Sequence, residues 1–324
     1  MGVAGDDSGR PTEDRAAPRP FIEDLPASMW DHPGPGEELP SARPPRWRRR
    51  ALPVAVCALL AGVLVFVIAG LHGGSGGTVR AADQAPRAPR DGAAAPGVRD
   101  NPLLTSRTVL APVACDLPVF SGDLPRLRAY YHAEIRCLAA AWRPVLDSVG
   151  ARFSPVTVSL ADDPVTRCGA LPPAAEATGL YCDLDRTIYL PYGRVLDSLG
   201  VTTEAHLATL AHEYGHHIQQ LSGILGMANR ELDAYAPGSP QDHELHRRVE
   251  LQANCFAGLF LASAAGRGSI SAADAEAAVQ DFRNWVDSET HGDSETQLRW
   301  ARAGFDGGTV ATCDTWNAPP AEVR

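Results

Sequence analysis

His212-Glu213-Tyr214-Gly215-His216 sets two imidazoles four residues apart with a carboxylate beside the first. On a helix such residues lie one above the other on one face, so His212 and His216 can offer ring nitrogens to one zinc ion while Glu213 stands alongside. This arrangement suits metal-assisted hydrolysis, in which the cation activates water and the carboxylate collects its proton. Short motifs of this kind also arise by chance, so the surroundings must decide.

The segment Thr202 to Ser222 has helical spacing, with apolar residues at Leu207, Leu210, Ala211, Tyr214, Ile218 and Leu221. Thr202 and Thr203 can cap its start, Glu204 suits the positive end, and Gly223 is a stop signal. The competing expectation is an amphipathic surface helix with exposed histidines. Gly215 costs about 1 kcal/mol against Ala inside a helix, which predicts a close backbone approach there. Tyr214 reads as core, and His217 as a residue facing outward or standing behind the ligands.

A catalytic zinc usually takes a third protein ligand. Glu231, Asp233, His243, Glu244, His246, Glu250 and His291 all follow the motif. Glu250 borders the apolar stripe Leu245, Val249, Ala253, Phe256, Leu259, Phe260. A carboxylate at that edge needs a partner, either Arg247 in a surface pair or the metal. His243 and His246 read as solvent-facing.

The 324 residues divide by composition. Residues 1–50 are rich in Pro, Gly and both charge signs, and read as a disordered cytoplasmic tail. Residues 51–71 are an uncharged run of membrane-spanning length, preceded by Arg46, Arg48, Arg49 and Arg50. The positive-inside rule then keeps the N-terminus in the cytoplasm and sends the rest outside. A cleaved signal peptide fits less well, because the charged preface is long. Residues 72–102 read as a flexible linker, and 103–324 as one extracytoplasmic domain. After residue 100 there are 27 acidic side chains against 17 arginines, which argues against nucleic acid as a partner. There is no lysine in the chain.

Cys115, Cys137, Cys168, Cys182, Cys255 and Cys313 follow the apolar run, an even number in an oxidising compartment. Six cysteines allow about fifteen connectivities. Local spacing favours Cys168 with Cys182, and elimination then gives Cys115 with Cys137 and Cys255 with Cys313. No CxxC pair suggests a cysteine zinc site.

The elements predict a mainly α domain with a small β-sheet, an α+β fold. Helices are expected over 123–148, 203–222, 242–265, 271–287 and 293–304. Val156 to Leu160 alternates like a strand, and Gly179 to Leu190 reads as a hairpin turning at Asp183 to Arg186.

The strings HEYGHHIQ at 212–219, RRVELQANCFAGLF at 247–260 and THGDSETQLRW at 290–300 resemble three blocks of the neutral zinc metallopeptidases, a bacterial family of membrane-anchored zinc proteins. TRCG at 166–169 and LYCDLDRTIYL at 180–190 are similar to that family too, and the likeness runs over about 150 to 316. The resemblance implies a zincin-like catalytic domain with one zinc ion held by His212, His216 and Glu250. It implies peptide hydrolysis through a zinc-bound water with Glu213 as general base, endopeptidase rather than exopeptidase, with His291 as candidate for oxyanion stabilisation. The alternative for His291 is a loop histidine held by a backbone hydrogen bond.

Two departures stand out. Asn254 replaces the family's Asp, where it would support a ligand histidine without charge, and Gln297 stands where the family tends to carry Arg. They motivate a second expectation, an inactive zinc-binding pseudo-peptidase serving as a surface module. The expected partners are a peptide or protein substrate near the outer membrane face and the lipid bilayer through 51–71.

Overall fold

The computed structural model describes residues 97–324. The tail 1–50, the apolar run 51–71 and most of the linker lie outside these residues. Among the described residues no helix is long and apolar enough to cross a membrane. Packing begins early, since Val98 is buried and Asn101 caps α1 (Pro102–Thr105) while its amide donates to Ser222 O at 2.9 Å.

The fold is mostly helical with one small sheet. After α2 (Leu124–Ser148) come β1 (Thr157–Ser159), β2 (Leu180–Cys182) and β3 (Thr187–Tyr189), in the order β1-β3-β2. β1 runs parallel to β3, with Val158 opposite Ile188, and β2 runs antiparallel to β3, with Tyr181 opposite Ile188. The helices α3 (Tyr192–Leu199), α4 (Thr203–Leu221), α5 (Ile224–Leu232), α6 (Pro240–Ala264), α7 (Ala272–Asp281) and α8 (Ser294–Gly307) follow. The sequence pattern missed α3 and α5, which are short and lack a long apolar period.

The expected helix over 271–287 is shorter. α7 ends at Asp281, a 3-10 turn spans Phe282–Asn284, and Trp285 is extended. The Asp281 carboxylate explains the stop, because it accepts from Asn284 Nδ2 at 3.1 Å and Trp285 Nε1 at 3.2 Å. These bonds favour a turn over further helix.

The motif helix is central rather than a surface element. α4 buries residues on every side, which corrects the amphipathic alternative. It crosses α6 at Gly215, where an added Cβ would stand 2.9 Å from Ala253 O. The crossing therefore needs glycine and brings the middle of α6 against the motif. A second close crossing joins α6 to α8, since a Cβ at Gly258 would strike Ala301 O and one at Gly304 would strike Cys255 O. Disulfides join Cys115–Cys137, Cys168–Cys182 and Cys255–Cys313.

Candidate metal centre

The glycine crossing sets Glu250 of α6 opposite the histidines of α4. Glu250 Oε2 lies 3.3 Å from His212 Nε2 and 3.3 Å from His216 Nε2, and the two Nε2 atoms are 3.1 Å apart. Atoms bound to one tetrahedral zinc stand about 3.3–3.5 Å apart, so the spacing suits such an ion.

The outer nitrogens decide which way the rings are protonated. His212 Nδ1 lies 2.7 Å from Asn254 Oδ1, and His216 Nδ1 lies 2.9 Å from Gln219 Oε1. Gln219 turns its amide nitrogen to Val249 O at 2.8 Å and Gln252 Oε1 at 3.0 Å, so its oxygen is the acceptor. Both rings then carry Nδ1–H and aim an Nε2 lone pair at the carboxylate. Three electron-rich atoms this close repel unless positive charge lies among them, and a divalent cation with N and O donors fits.

The titration behaviour without metal agrees. Burial pushes His212 down. Burial acts the same way on His216, but the Glu250 carboxylate outweighs it and raises that ring to about 9. Glu250 itself falls well below the usual carboxylate range, because His216 and His291 overcome the cost of burial. A proton and a metal ion therefore compete for one place.

Glu213 is 6% exposed. Burial pushes its carboxyl up to about 7, against the opposing pull of His216. The backbone N–H of Tyr181, on β2, pulls it in the same direction as His216. At Gly179 an added Cβ would stand 2.8 Å from Glu213 Oε1, so the chain leading into β2 lies directly on the carboxylate.

A family model described as "Putative neutral zinc metallopeptidase" matches residues 135–316. The chain belongs to this family. Among its relatives, the uncharacterized protein YpfJ of Escherichia coli K12 is 35% identical over 154 residues, which are 42% of this chain and 53% of the relative. The uncharacterized protein Rv2575 of Mycobacterium tuberculosis is 30% identical over 211 residues, 55% of this chain and 67% of the relative. The chain thus spans about half the length of the first of these. No solved structure matches it.

In this zinc metallopeptidase-family chain the matched span takes in the motif, Glu250, Asn254, His291 and Gln297. His291 Nε2 lies 3.5 Å from Glu250 Oε2, the oxygen that both motif histidines approach. Its Nδ1 meets the hydroxyls of Ser288 at 3.0 Å and Thr290 at 3.1 Å, not the backbone group of the alternative. It rides on a tight hairpin closed by Ser288 and Gly292.

Other candidates lie elsewhere. Arg247 does not pair with Glu250; it donates to Val323 O at 2.6 Å and Glu289 O at 2.5 Å. Glu244 pairs with Arg248 at 2.7 Å, His243 faces Glu289 and His246 faces Asp242. His217 does not face outward: it is buried, donating from Nε2 to Ser154 O at 2.8 Å and meeting Tyr181 OH at 3.0 Å with Nδ1. It ties the motif helix to the sheet. Tyr214 is core.

Three participants went unread in the sequence. Gln219, three residues after His216, was detectable by helical spacing. Gly179 carried no local signal, because only the fold brings it to Glu213. Trp285, with its ring centroid 4.9 Å from that of His212, is likewise a long-range neighbour. Together with His212, Glu213 and His291 it lines a cavity of about 540 Å³.

Proposed function

We propose that the chain is a membrane-anchored zinc peptidase cutting internal peptide bonds at the outer face of the membrane. The observation that carries this reading is the convergence of His212, His216 and Glu250 at one point, with Glu213 facing the adjoining cavity. Zinc held by His212, His216 and Glu250 would supply Lewis-acid polarisation of a carbonyl and would lower the pKa of a water beside it. Glu213, beside the first histidine and facing the cavity, would take the proton of the attacking water and pass it to the leaving amine. His291 would donate from Nε2 to the developing oxyanion; its position beside the Glu250 carboxylate, with Nδ1 against the hydroxyls of Ser288 and Thr290, supports this role.

Anchoring rests on the uncharged run 51–71 behind four arginines. Three disulfides in the domain support an oxidising location. Among the described residues no arginine lines the cavity to pair with a substrate's terminal carboxylate, which supports cleavage of internal bonds over C-terminal trimming.

The test is bound zinc and cleavage of a mixed peptide library, with Glu213→Gln as control. A soluble form should begin ahead of Val98, which is packed in the core. Cleavage that depends on Glu213 supports the reading. Stoichiometric zinc without it would favour the non-cleaving binding module, and absence of zinc would sink the site.

A further inference from the structure

The hydrogen bonds behind His216 continue past Gln219 to the C-terminal part of the chain. Gln219 Oε1 lies 2.9 Å from His216 Nδ1, and beyond it stands Gln252 of α6. Gln252 Oε1 accepts from Gln219 Nε2 at 3.0 Å and from Trp316 Nε1 at 3.4 Å, while its amide nitrogen donates to Cys313 O at 2.9 Å. Gln219, Gln252, Cys313 and Trp316 are all fully buried, so each of these polar groups depends on its protein partner.

An amide side chain can turn over and exchange its oxygen for its nitrogen, but three groups in this network have one polarity only. The carbonyls of Val249 and Cys313 can only accept, and the Trp316 indole N–H can only donate. Cys313 O therefore draws the nitrogen of Gln252, which leaves the Gln252 oxygen for Trp316 and Gln219. That oxygen and Val249 O together draw the nitrogen of Gln219. The Gln219 oxygen then faces His216, whose ring must carry a proton at Nδ1 and can leave its Nε2 lone pair for a cation. Turning Gln219 alone would set its oxygen against two acceptors. Turning Gln252 as well would relieve one of these contacts, but only by setting oxygen against Cys313 O and N–H against the Trp316 N–H.

The far end of the network is held as well. Cys313 is bonded to Cys255, about one turn beyond Gln252 on α6. Thr315 Oγ1 donates to Arg248 O at 2.7 Å, and the Arg248 guanidinium donates to Thr315 O and, at 3.0 Å, to Ala318 O. The segment 313–318 is thus fastened to the helix that carries Glu250, at positions on either side of Gln252.

We infer that Gln252 is a positioning residue of the metal centre: it acts through Gln219 to hold the His216 ring with Nε2 toward the metal, so that the turn 313–316 helps to set zinc affinity. The inference deepens the proposed metal centre and rests on zinc binding there, not on peptide cleavage.

The experiment measures the zinc affinity of the full chain by chelator competition in a double-mutant cycle. Gln219→Ala should weaken binding about tenfold to a hundredfold, the range for an outer partner of a ligand histidine. Gln252→Met keeps an unbranched side chain but removes its amide bonds. It should weaken binding at least about threefold in the parent and less than about twofold on top of Gln219→Ala, because the path is then already broken. Proton NMR of the zinc-loaded chain with labelled histidine reads the ring itself. The His216 Nδ1–H should exchange slowly with water in the parent and faster in Gln252→Met. Equal zinc affinity in the parent and Gln252→Met, or losses that add in the double variant, would overturn the inference. A parent chain without a protected His216 Nδ1–H would overturn it too, and that result requires no variant to fold. Absence of bound zinc in the parent would overturn the metal centre and the inference together. The expected coupling without peptide cleavage would sustain the inference and count against the peptidase alone.

Discussion

His212 Nδ1 stands 2.7 Å from Asn254 Oδ1, one turn beyond Glu250 on the same helix. One helix thus supplies both a candidate metal donor and the group that fixes the ring of another. Asn accepts this bond as Asp would, so orientation is kept, while the added basicity of a charged partner is not. Asn254→Asp should tighten zinc binding, and Asn254→Ala should weaken it, each within about tenfold to a hundredfold. Competition with a chromophoric chelator measures both, and equal affinities in all three forms would refute the role.

Gly179→Ala should leave zinc content intact but lower turnover. The new methyl group meets Glu213 Oε1 at 2.8 Å and Leu190 Cδ2 at 2.6 Å, both side-chain ends able to shift. The fold should therefore persist with the base displaced, and displacements near 1 Å cost about a hundredfold in rate. Steady-state kinetics beside zinc analysis and circular dichroism make the check; unchanged kcat would remove Gly179 from the site.

Gln297 is 1% exposed and donates from one amide nitrogen to Val286 O at 3.1 Å and Gly292 O at 3.2 Å. It ties together the two ends of the hairpin that carries His291. Gln297 thus fills a structural role at the position singled out as a departure. Gln297→Ala strands two carbonyls and should cost about 1–3 kcal/mol. Faster hydrogen exchange over 286–292 is the expected signature, and protection equal to the parent chain would contradict the clamp.

Glu134 is wholly buried on α2, and neither carboxyl oxygen has a hydrogen-bond partner among the described residues. Burial holds its carboxyl well above the usual carboxylate value of 4.5. Below the unfolded value both states hold the proton and stability is unaffected. As pH rises past 4.5 the unfolded chain releases a proton that the folded chain retains, so stability falls until the folded value is reached. Relative to Glu134→Gln, the parent should lose about 1.4 kcal/mol per pH unit in that window. Denaturant unfolding of metal-free protein from pH 4 to 8 tests it; parallel curves for the two forms would be inconsistent with a buried neutral acid.

Elements with long local periods were readable from the chain. The patterns at 123–148, 203–222 and 242–265 correspond closely to α2, α4 and α6, because burying one helical face imposes a repeat on neighbouring residues. The hairpin around Asp183 to Arg186 was readable because two short apolar-aromatic pieces flank a polar turn. α7 was overextended, since its end depends on one carboxylate capturing two donors beyond it.

The sequence alone determined that His212 and His216 share a helical face with Glu213 beside them, because positions four apart are held by the backbone itself. It also carried the uncharged run and the cysteines, which are matters of composition. Only the tertiary structure decided that Glu250 faces the motif and Arg247 does not, and that Gly179, Trp285 and Asp281 stand around the same cavity. Those contacts join residues far apart in the chain through a helix crossing that depends on one glycine, Gly215, and a crossing leaves no periodic trace in the sequence of either partner.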